Sequence, residues 1–210
     1  NFGDLGGAAN IPPSTARFSP SPLTGTYWKG DSTPSSAQVT SLFRPEALDI
    51  DGATPRTHFF EGCINAPSAI GSALFSYGAN GTATRFIVYV DLDEIIVNCG
   101  GGGGAVNTSI TNGGQTSNVE FFRCVIRFDG ANLRVDAYSF DPATRVWTTS
   151  SGTLAITLAT ATGAANALAL HWNGTIPGAV TDGVSGLAYL GIVGGYSWSD
   201  AETRAFLLDP

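Results

Sequence analysis

The chain has 210 residues and a formal net charge of −7, with only 13% charged residues against roughly 25% in an average soluble protein. Its hydrophobic share of 43% is enough for a sizeable core, and the length suits one large β domain. A nucleic-acid surface needs clustered cations, and nine scattered arginines with the single lysine Lys29 do not supply them. No apolar run approaches the roughly 20 residues that cross a bilayer, so we expect no membrane insertion.

Residues 1–40 differ in composition from the rest of the chain. They hold five of the eleven prolines and many Ser, Thr and Gly residues, without a hydrophobic period. We therefore predict an extended Pro/Ser/Gly-rich N-terminal arm over residues 1–40, with one short strand at residues 24–28. The arm either wraps a neighbouring subunit or lies along its own domain. Residues 41–210 form the second predicted unit, a β-sandwich.

Strand patterns recur from about residue 41 onwards. Residues 85–91 are rich in β-branched and aromatic side chains, and residues 94–99 repeat the pattern after Leu92-Asp93, a candidate tight turn. Further strands are predicted at residues 57–60, 73–76, 154–158, 167–172 and 186–193.

A β-hairpin is predicted from residues 121–128 to residues 133–138. Asp129-Gly130 begins the connection between these two apolar runs. Asp-Gly favours a hairpin because glycine tolerates a positive φ. This is the clearest turn pattern in the chain.

One short helix is predicted at the C-terminus, where Ser199 and Glu202 have the spacing of a capping box. Ala201, Ala205 and Leu208 would form its apolar side. Antiparallel strands followed by one late helix predict an all-β fold, a two-sheet antiparallel jelly-roll sandwich with one short C-terminal helix.

The closing segment resembles a known family. Residues 187–192, followed by residues 197–202, are similar to the last core strand and short helix of laminin-G-like, concanavalin A-like domains. Trp198 stands where that family usually has Leu, so we expect it to be a core anchor. The similarity covers about residues 41–210. It implies roles that range from adhesins and secreted glycan-processing enzymes to phage surface proteins.

Glycosidases that resemble this fold carry alternating carboxylates on one strand. Asp91 and Asp93 are the nearest candidates, and they would share a face on a continuous strand. We place them at a turn instead, where Asp bonds locally to backbone, and the spacing misses the pattern of those enzymes. The sequence therefore predicts no catalytic residue.

Metal ligands are sparse. Glu46, Asp49 and Asp51 could offer oxygens to Ca²⁺, although a complete calcium loop is missing and a turn is the preferred interpretation. His58 and His171 lie too far from other ligands to indicate a zinc site. We predict no metal site and no cofactor, and calcium is the one ion that the sequence leaves open.

Three cysteines, Cys63, Cys99 and Cys124, are too few for a disulfide scaffold. We expect plain core or near-core thiols, because a small buried hydrophobe suits the apolar strand around Cys124. One disulfide among them would leave the third cysteine free.

Aromatic side chains are the best ligand-binding candidates, since sugar rings lay their apolar faces on Trp and Tyr. Trp147, Trp172, Tyr27 and Trp28 fall at strand ends or in loops, and Trp147 is the preferred exposed one. The alternative is that each packs in the core or along an edge.

The leading hypothesis is a non-enzymatic surface recognition or structural module, either a lectin-like adhesin or a phage head or fibre protein. It would be extracellular or on a virion surface, bind a glycan or cell-surface polysaccharide, and assemble as a homo-oligomer or with a capsid or fibre partner. The alternative is a secreted polysaccharide hydrolase or lyase with an atypical carboxylate site. A purely structural virion component is the third hypothesis.

Overall fold

The computed structural model describes residues 17–21, 25–29, 40–41, 50, 52–65, 72–77, 85–91, 94–99, 104–110, 119–141, 144–158, 169–170 and 185–208. These residues form strands and one helix. The elements are β1 Arg17–Ser21, β2 Gly25–Lys29, β3 Thr40–Ser41, β4 Arg56–Asn65, β5 Ser72–Tyr77, β6 Phe86–Asp91, β7 Glu94–Cys99, β8 Ala105–Ser109, β9 Val119–Phe128, β10 Asn132–Asp141, β11 Val146–Ala155, β12 Ala169–Leu170, β13 Ser185–Gly194 and α1 Asp200–Leu208.

Two antiparallel sheets make up the fold. A seven-stranded sheet has the order β1-β2-β13-β4-β9-β10-β11, and a six-stranded sheet has the order β3-β12-β5-β6-β7-β8. The predicted two-sheet jelly-roll sandwich with one short C-terminal helix is confirmed. Among the described helices none is long and apolar enough to cross a membrane.

The core lies between the two sheets because apolar residues alternate along the strands. Every second residue of β7 and β8 is buried, as the period of a strand with one face inside requires. Phe60 of β4 meets Phe75 of β5 edge to face, with ring centroids 5.5 Å apart, and so joins the two sheets.

Both predicted hairpins are present. Strands β6 and β7 pair from Asp91 with Glu94 to Phe86 with Cys99, on either side of residues 92–93, which lie outside the described residues. Strands β9 and β10 flank the Asp-Gly turn, in which Gly130 has a φ of +103°. The Asp129 carboxylate accepts the backbone N–H of Asn132 at 2.7 Å, which fixes this turn.

The predicted strand at residues 24–28 is confirmed as β2, which pairs with β1 and, through Trp28 and Lys29, with β13. Residues 1–16 lie outside the described residues. The division of the chain at residue 40 stays a prediction.

One strand prediction, residues 154–158, was partly wrong. Strand β11 begins at Val146 and ends at Ala155, so residues 156–158 leave the sheet, and the Ile156 N–H donates to the Ala131 carbonyl instead. Its Thr- and Ser-rich sequence carries no apolar alternation, because β11 is an edge strand. Of the predicted strand at residues 167–172, residues 169–170 form β12, and the other four lie outside the described residues.

The capping box of α1 is confirmed. The Ser199 Oγ accepts the Glu202 N–H at 3.3 Å, and the Glu202 carboxylate accepts the Ser199 N–H at 2.8 Å. The predicted apolar side was wrong, since Ala201, Ala205 and Leu208 are all exposed. Thr203 and Leu207, four residues apart, form the buried face instead.

Trp198 is an anchor, but not in the core between the sheets. Its ring stacks on Phe59 at 4.5 Å and lies 6.1 Å from Phe206 of α1. Phe59 alternates with the buried Phe60 along β4 and therefore faces outward. Trp198 thus holds the helix onto the outer face of the seven-stranded sheet.

Cys99 and Cys124 are free, buried thiols, as predicted. Burial raises the pKa of Cys99 to about 12, so this thiol is not ionised near neutral pH. Cys63 lies in β4, and its side chain is outside the described residues.

His58 is fully enclosed by aromatic rings of the core. It stacks with Phe86 at 5.0 Å, and its Nε2 is 3.1 Å from the hydroxyl of Tyr77. Burial, reinforced by the positive charge of Arg56, lowers the pKa of His58 from 6.5 to about 3. The folded protein therefore keeps this imidazole neutral in mild acid.

The lowered pKa of His58 predicts a loss of stability in acid. Below about pH 6.5 the His58 imidazole binds a proton in the unfolded chain, whereas in the folded chain it binds one only near pH 3. Stability should therefore fall as the pH drops through this window, by about 1 kcal/mol per pH unit. Urea unfolding of the wild type and of His58→Phe at several pH values measures this slope. A difference between the two proteins that does not vary with pH would contradict the assignment.

Candidate ligand-binding groove

Charged side chains cluster on the outer face of the seven-stranded sheet. Arg134 and Asp136 alternate along β10 with the buried Leu133 and Val135, so they face away from the core. Arg127 of β9 faces outward in the same way. The pattern therefore brings two arginines and a carboxylate together on neighbouring strands.

Asp136 is the centre of this cluster. Its carboxylate accepts Arg127 Nη2 and Arg134 Nε, each at 2.9 Å, and the hydroxyl of Ser151 at 2.6 Å. Only 6% of the Asp136 side chain is exposed. Three donors compensate for the removal of this carboxylate from water.

Asp200 joins the cluster to the start of α1. Its Oδ1 lies 2.7 Å from Arg127 Nη2 and 3.5 Å from Arg134 Nη1, although 78% of the side chain is exposed. The hydrogen bond from Arg127, and then the charges of Arg127 and Arg134, lower the pKa of Asp200. Asp200 is therefore an ionised carboxylate at the surface, held between two arginines.

Two clefts flank the cluster and share Arg127, Arg134 and Asp200. The helix-side cleft, about 270 Å³, opens between α1 and strands β10 and β11. The hairpin-side cleft, about 450 Å³, opens beside the β9–β10 turn. Besides the shared residues, the first is lined by side chains such as Thr149, Ser151 and Arg204, and the second by Asp129, Asn132 and Trp198.

A stacked aromatic pair continues the helix-side cleft. Trp147 of β11 stacks on Tyr138 of β10, with ring centroids 4.6 Å apart and planes at 21°. Phe140 lies beside Trp147 at 5.4 Å. Because Thr149 lines the cleft and pairs with Tyr138, the aromatic pair and the cleft share one face. We call this continuous surface, the Trp147–Tyr138 pair with the two clefts, the groove.

A second aromatic group lies on the same sheet face and meets the groove only at Trp198. Phe59, Trp198 and Phe206 pack together, and Tyr189 leans on Phe59 at 5.7 Å with 46% of its surface exposed. Strands β4, β9 and β10 separate Tyr189 in β13 from Trp147 in β11. This group mainly packs α1 against the sheet.

The structure does not bring the four predicted ligand-binding residues together. Trp147 lies in the groove, whereas Tyr27 and Trp28 lie in β2, with four strands between β2 and β11. The side chains of Tyr27 and Trp28 are outside the described residues, and so is Trp172.

The charged residues of the groove were missed in the sequence. Arg127, Arg134 and Asp136 lie at outward positions of the two hairpin strands, so the alternation already placed them on one face. Asp200 was seen only as part of the capping box. Its contact with Arg134, 66 residues away along the chain, leaves no local pattern.

Asp91 is the last residue of β6, and Asp93 lies outside the described residues. Strand β6 ends at Asp91, β7 begins at Glu94, and the two residues pair across the hairpin. The side chain of Asp91 and all of Asp93 are outside the described residues. The interpretation as a turn rather than a catalytic strand agrees with this pairing.

No metal site is found in the part of the chain that the structure describes, where no three His, Cys, Asp or Glu side chains converge. Glu46, Asp49, Asp51 and His171 lie outside that part. His58 is enclosed in the core.

Comparison with known proteins gives a likeness in structure only. No protein-family model matches the sequence, and no curated protein matches it. The binding domain of botulinum neurotoxin DC is similar in its complex with rat synaptotagmin II (TM-score 0.59, 10% identity, 92% of this chain and 45% of that chain) and in its complex with SialylT (TM-score 0.56, 11% identity, the same coverage). Arcelin-5, a lectin-like defense protein from Phaseolus vulgaris, aligns with a TM-score of 0.46 at 11% identity over 85% of this chain and 90% of that chain.

The chain thus spans less than half the length of the toxin domains it matches. At these identities the likeness shows the fold alone. That fold is a two-sheet antiparallel β-sandwich, which is the fold implied by the resemblance of the closing segment to laminin-G-like, concanavalin A-like domains.

The buried part of the cluster should matter for stability far more than the exposed part. Asp136→Asn removes the negative charge that Arg127 and Arg134 share, and we expect a loss of about 3 kcal/mol in the free energy of unfolding. The matched variant Asp200→Asn removes an exposed charge and should change stability little. Urea unfolding of both variants makes the comparison, and an equal loss in the two would contradict the central place of Asp136.

Proposed function

We propose that this chain is a non-enzymatic carbohydrate-binding module whose ligand lies along the groove. The observation that carries the proposal is the stacked Trp147–Tyr138 pair, which runs directly into a polar cleft on one face of the sheet. An aromatic surface next to hydrogen-bonding groups is the combination that a sugar requires.

The aromatic pair supplies the apolar part of such a site. The C–H face of a pyranose ring packs on the flat face of an indole, and Trp147 is only partly buried. Its stacking on Tyr138 restricts its rotamers before a ligand arrives, so little conformational entropy is lost on binding.

Hydroxyl groups of the sugar need donors and acceptors beside that surface. Thr149 and Ser151 project from β11 next to Trp147, and Arg134 and Asp200 offer a half-exposed donor and an exposed acceptor. Their positions are fixed by the Asp136 cluster, which limits the cost of ordering them.

The arrangement of the carboxylates in the cleft favours binding over glycoside hydrolysis. A glycosidase needs one carboxylic acid with a raised pKa that protonates the leaving oxygen. The pKa of Asp200 is lowered by Arg127 and Arg134, and Asp136 accepts three hydrogen bonds. Asp200 is thus a hydrogen-bond acceptor rather than a proton donor, and the oxygens of Asp136 are already occupied by protein donors.

A recognition role also agrees with the structural neighbours. The botulinum neurotoxin DC binding domain, which has the same fold over part of its length, occurs in complexes with SialylT and with rat synaptotagmin II. The proposal places this chain in an extracellular setting or on a virion surface, as a lectin-like adhesin or a phage head or fibre protein. Assembly as a homo-oligomer or with a capsid or fibre partner, and a requirement for calcium, are separate parts of the proposal.

The test is a glycan-array screen of the purified chain, with and without calcium, followed by titration of the strongest hit. Trp147→Ala should weaken binding by about tenfold or more, as truncation of a central aromatic does at a binding hot spot. Tyr189→Ala, which removes an exposed aromatic from the second group, should leave binding unchanged. Thermal unfolding of both variants checks that each is folded.

Two outcomes would contradict the proposal. One is the absence of glycan binding in both conditions, and the other is a loss with Tyr189→Ala that equals the loss with Trp147→Ala. Turnover of a polysaccharide that Asp91→Asn or Asp93→Asn abolishes would establish the hydrolase or lyase instead.

A further inference from the structure

We infer that the groove selects acidic glycans, with a sugar carboxylate held by Arg134 and Arg204 in the helix-side cleft. This inference rests on the proposed glycan-binding function and specifies its ligand class. It follows from the charges of the cleft, from the partners that its arginines have and lack, and from the position of Asp200.

The helix-side cleft is positively charged in a negatively charged protein. Arg127, Arg134 and Arg204 line it together with Asp136 and Asp200, so three positive and two negative groups leave a net charge of +1. The whole chain carries −7. An anionic ligand is therefore attracted to this cleft more than to the average surface of the chain.

The three arginines differ in how far their donors are used. The Nη groups of Arg127 are already used, since they bond Asp136, Asp200 and the Trp198 carbonyl. Arg134 is 40% exposed and uses Nε for Asp136 and Nη1, at the long distance of 3.5 Å, for Asp200. Its Nη2 has no partner among the described residues.

Arg204 is the third cation of the cleft. It lies on the exposed side of α1, one turn after Asp200, and it has no ion pair with any described residue. With the free Nη2 of Arg134, it offers donors from two sides of one cleft. The planar fork of a guanidinium matches the two oxygens of a carboxylate.

In the unliganded protein, the carboxylate of Asp200 already lies beside Arg134 in the helix-side cleft. It is 78% exposed, and its contact with Arg134 is weak in geometry. A sugar carboxylate entering the cleft would compete with Asp200 for Arg134. Replacement of Asp200 by a neutral residue should therefore strengthen binding of an acidic ligand, which a variant that merely damages the fold would not do.

The ligand pairs for the test differ only in charge. An array holds galacturonate, glucuronate and sialylated oligosaccharides, each beside its methyl ester, together with sulfated and neutral glycans. The strongest hit and its ester are then titrated by calorimetry against the full chain. We expect the acid to bind about tenfold more tightly than its ester, and added salt to narrow this difference.

Three variants test the residues. Arg204→Gln should remove most of the preference for the acid while leaving binding of the ester unchanged. Arg134→Gln should also remove the preference, and it should weaken binding of the ester as well, because Arg134 offers a donor to the sugar hydroxyls and holds Asp136. Asp200→Asn should increase affinity for the acid several-fold, since it frees Arg134 and raises the charge of the cleft. Arg85→Gln makes the same change in net charge on the other sheet, where Arg85 bonds Asn98, and should leave the preference intact.

The results separate the preference for acidic glycans from the glycan-binding function itself. Three results would overturn the inference and leave the glycan-binding function standing. The acid and its ester could bind equally, with binding that depends on Trp147. The strongest hit could be neutral or sulfated, or Asp200→Asn could bind the acid more weakly. No binding to any glycan would overturn both.

Discussion

The outer face of the seven-stranded sheet depends on one interaction, the ion pair between Arg127 and the nearly buried carboxylate of Asp136. A carboxylate this far from water is stable only when its donors stay in place, so Arg127, Arg134 and Ser151 are fixed with it. Arg127 in turn bonds Asp200 and the Trp198 carbonyl, which sets where α1 begins. The groove is the space that these constraints leave between helix and sheet.

The strand that carries Trp147, β11, is also packed on its inner side. Strand β11 is an edge strand, and β8 of the other sheet approaches its inner side so closely that a Cβ on Gly152 would clash with the Asn107 carbonyl oxygen. A glycine at this position therefore permits the two sheet edges to meet. Since the inner side of β11 is closed by β8, its outward residues Trp147, Thr149 and Ser151 present a defined surface.

Local patterns in the sequence predicted much of the fold, and long-range pairing explains what they missed. The Asp129-Gly130 turn, the pairing around residues 92–93 and the Ser199–Glu202 capping box each depend on neighbouring residues, and the structure contains all three. Most of strand β11 was missed, and only its last two residues fell in a predicted strand, because a partly exposed edge strand needs no apolar alternation. Trp147 was identified as a candidate by its residue type alone. Its stacking on Tyr138 depends on strand register, and the contact of Arg134 with Asp200 depends on where the helix packs. No short segment of the sequence specifies either of these.

The central claim is that a glycan binds along β10, β11 and α1, and hydrogen–deuterium exchange of the intact chain tests this location without any mutation. With the strongest array ligand at saturation, we expect slower exchange in peptides that cover β10, β11 and α1, because a bound ligand suppresses local opening. Peptides from β1, β2 and β5 should exchange at their unliganded rates. Protection confined to β1 and β2, at the opposite edge of the same sheet, would contradict the account and place the site elsewhere.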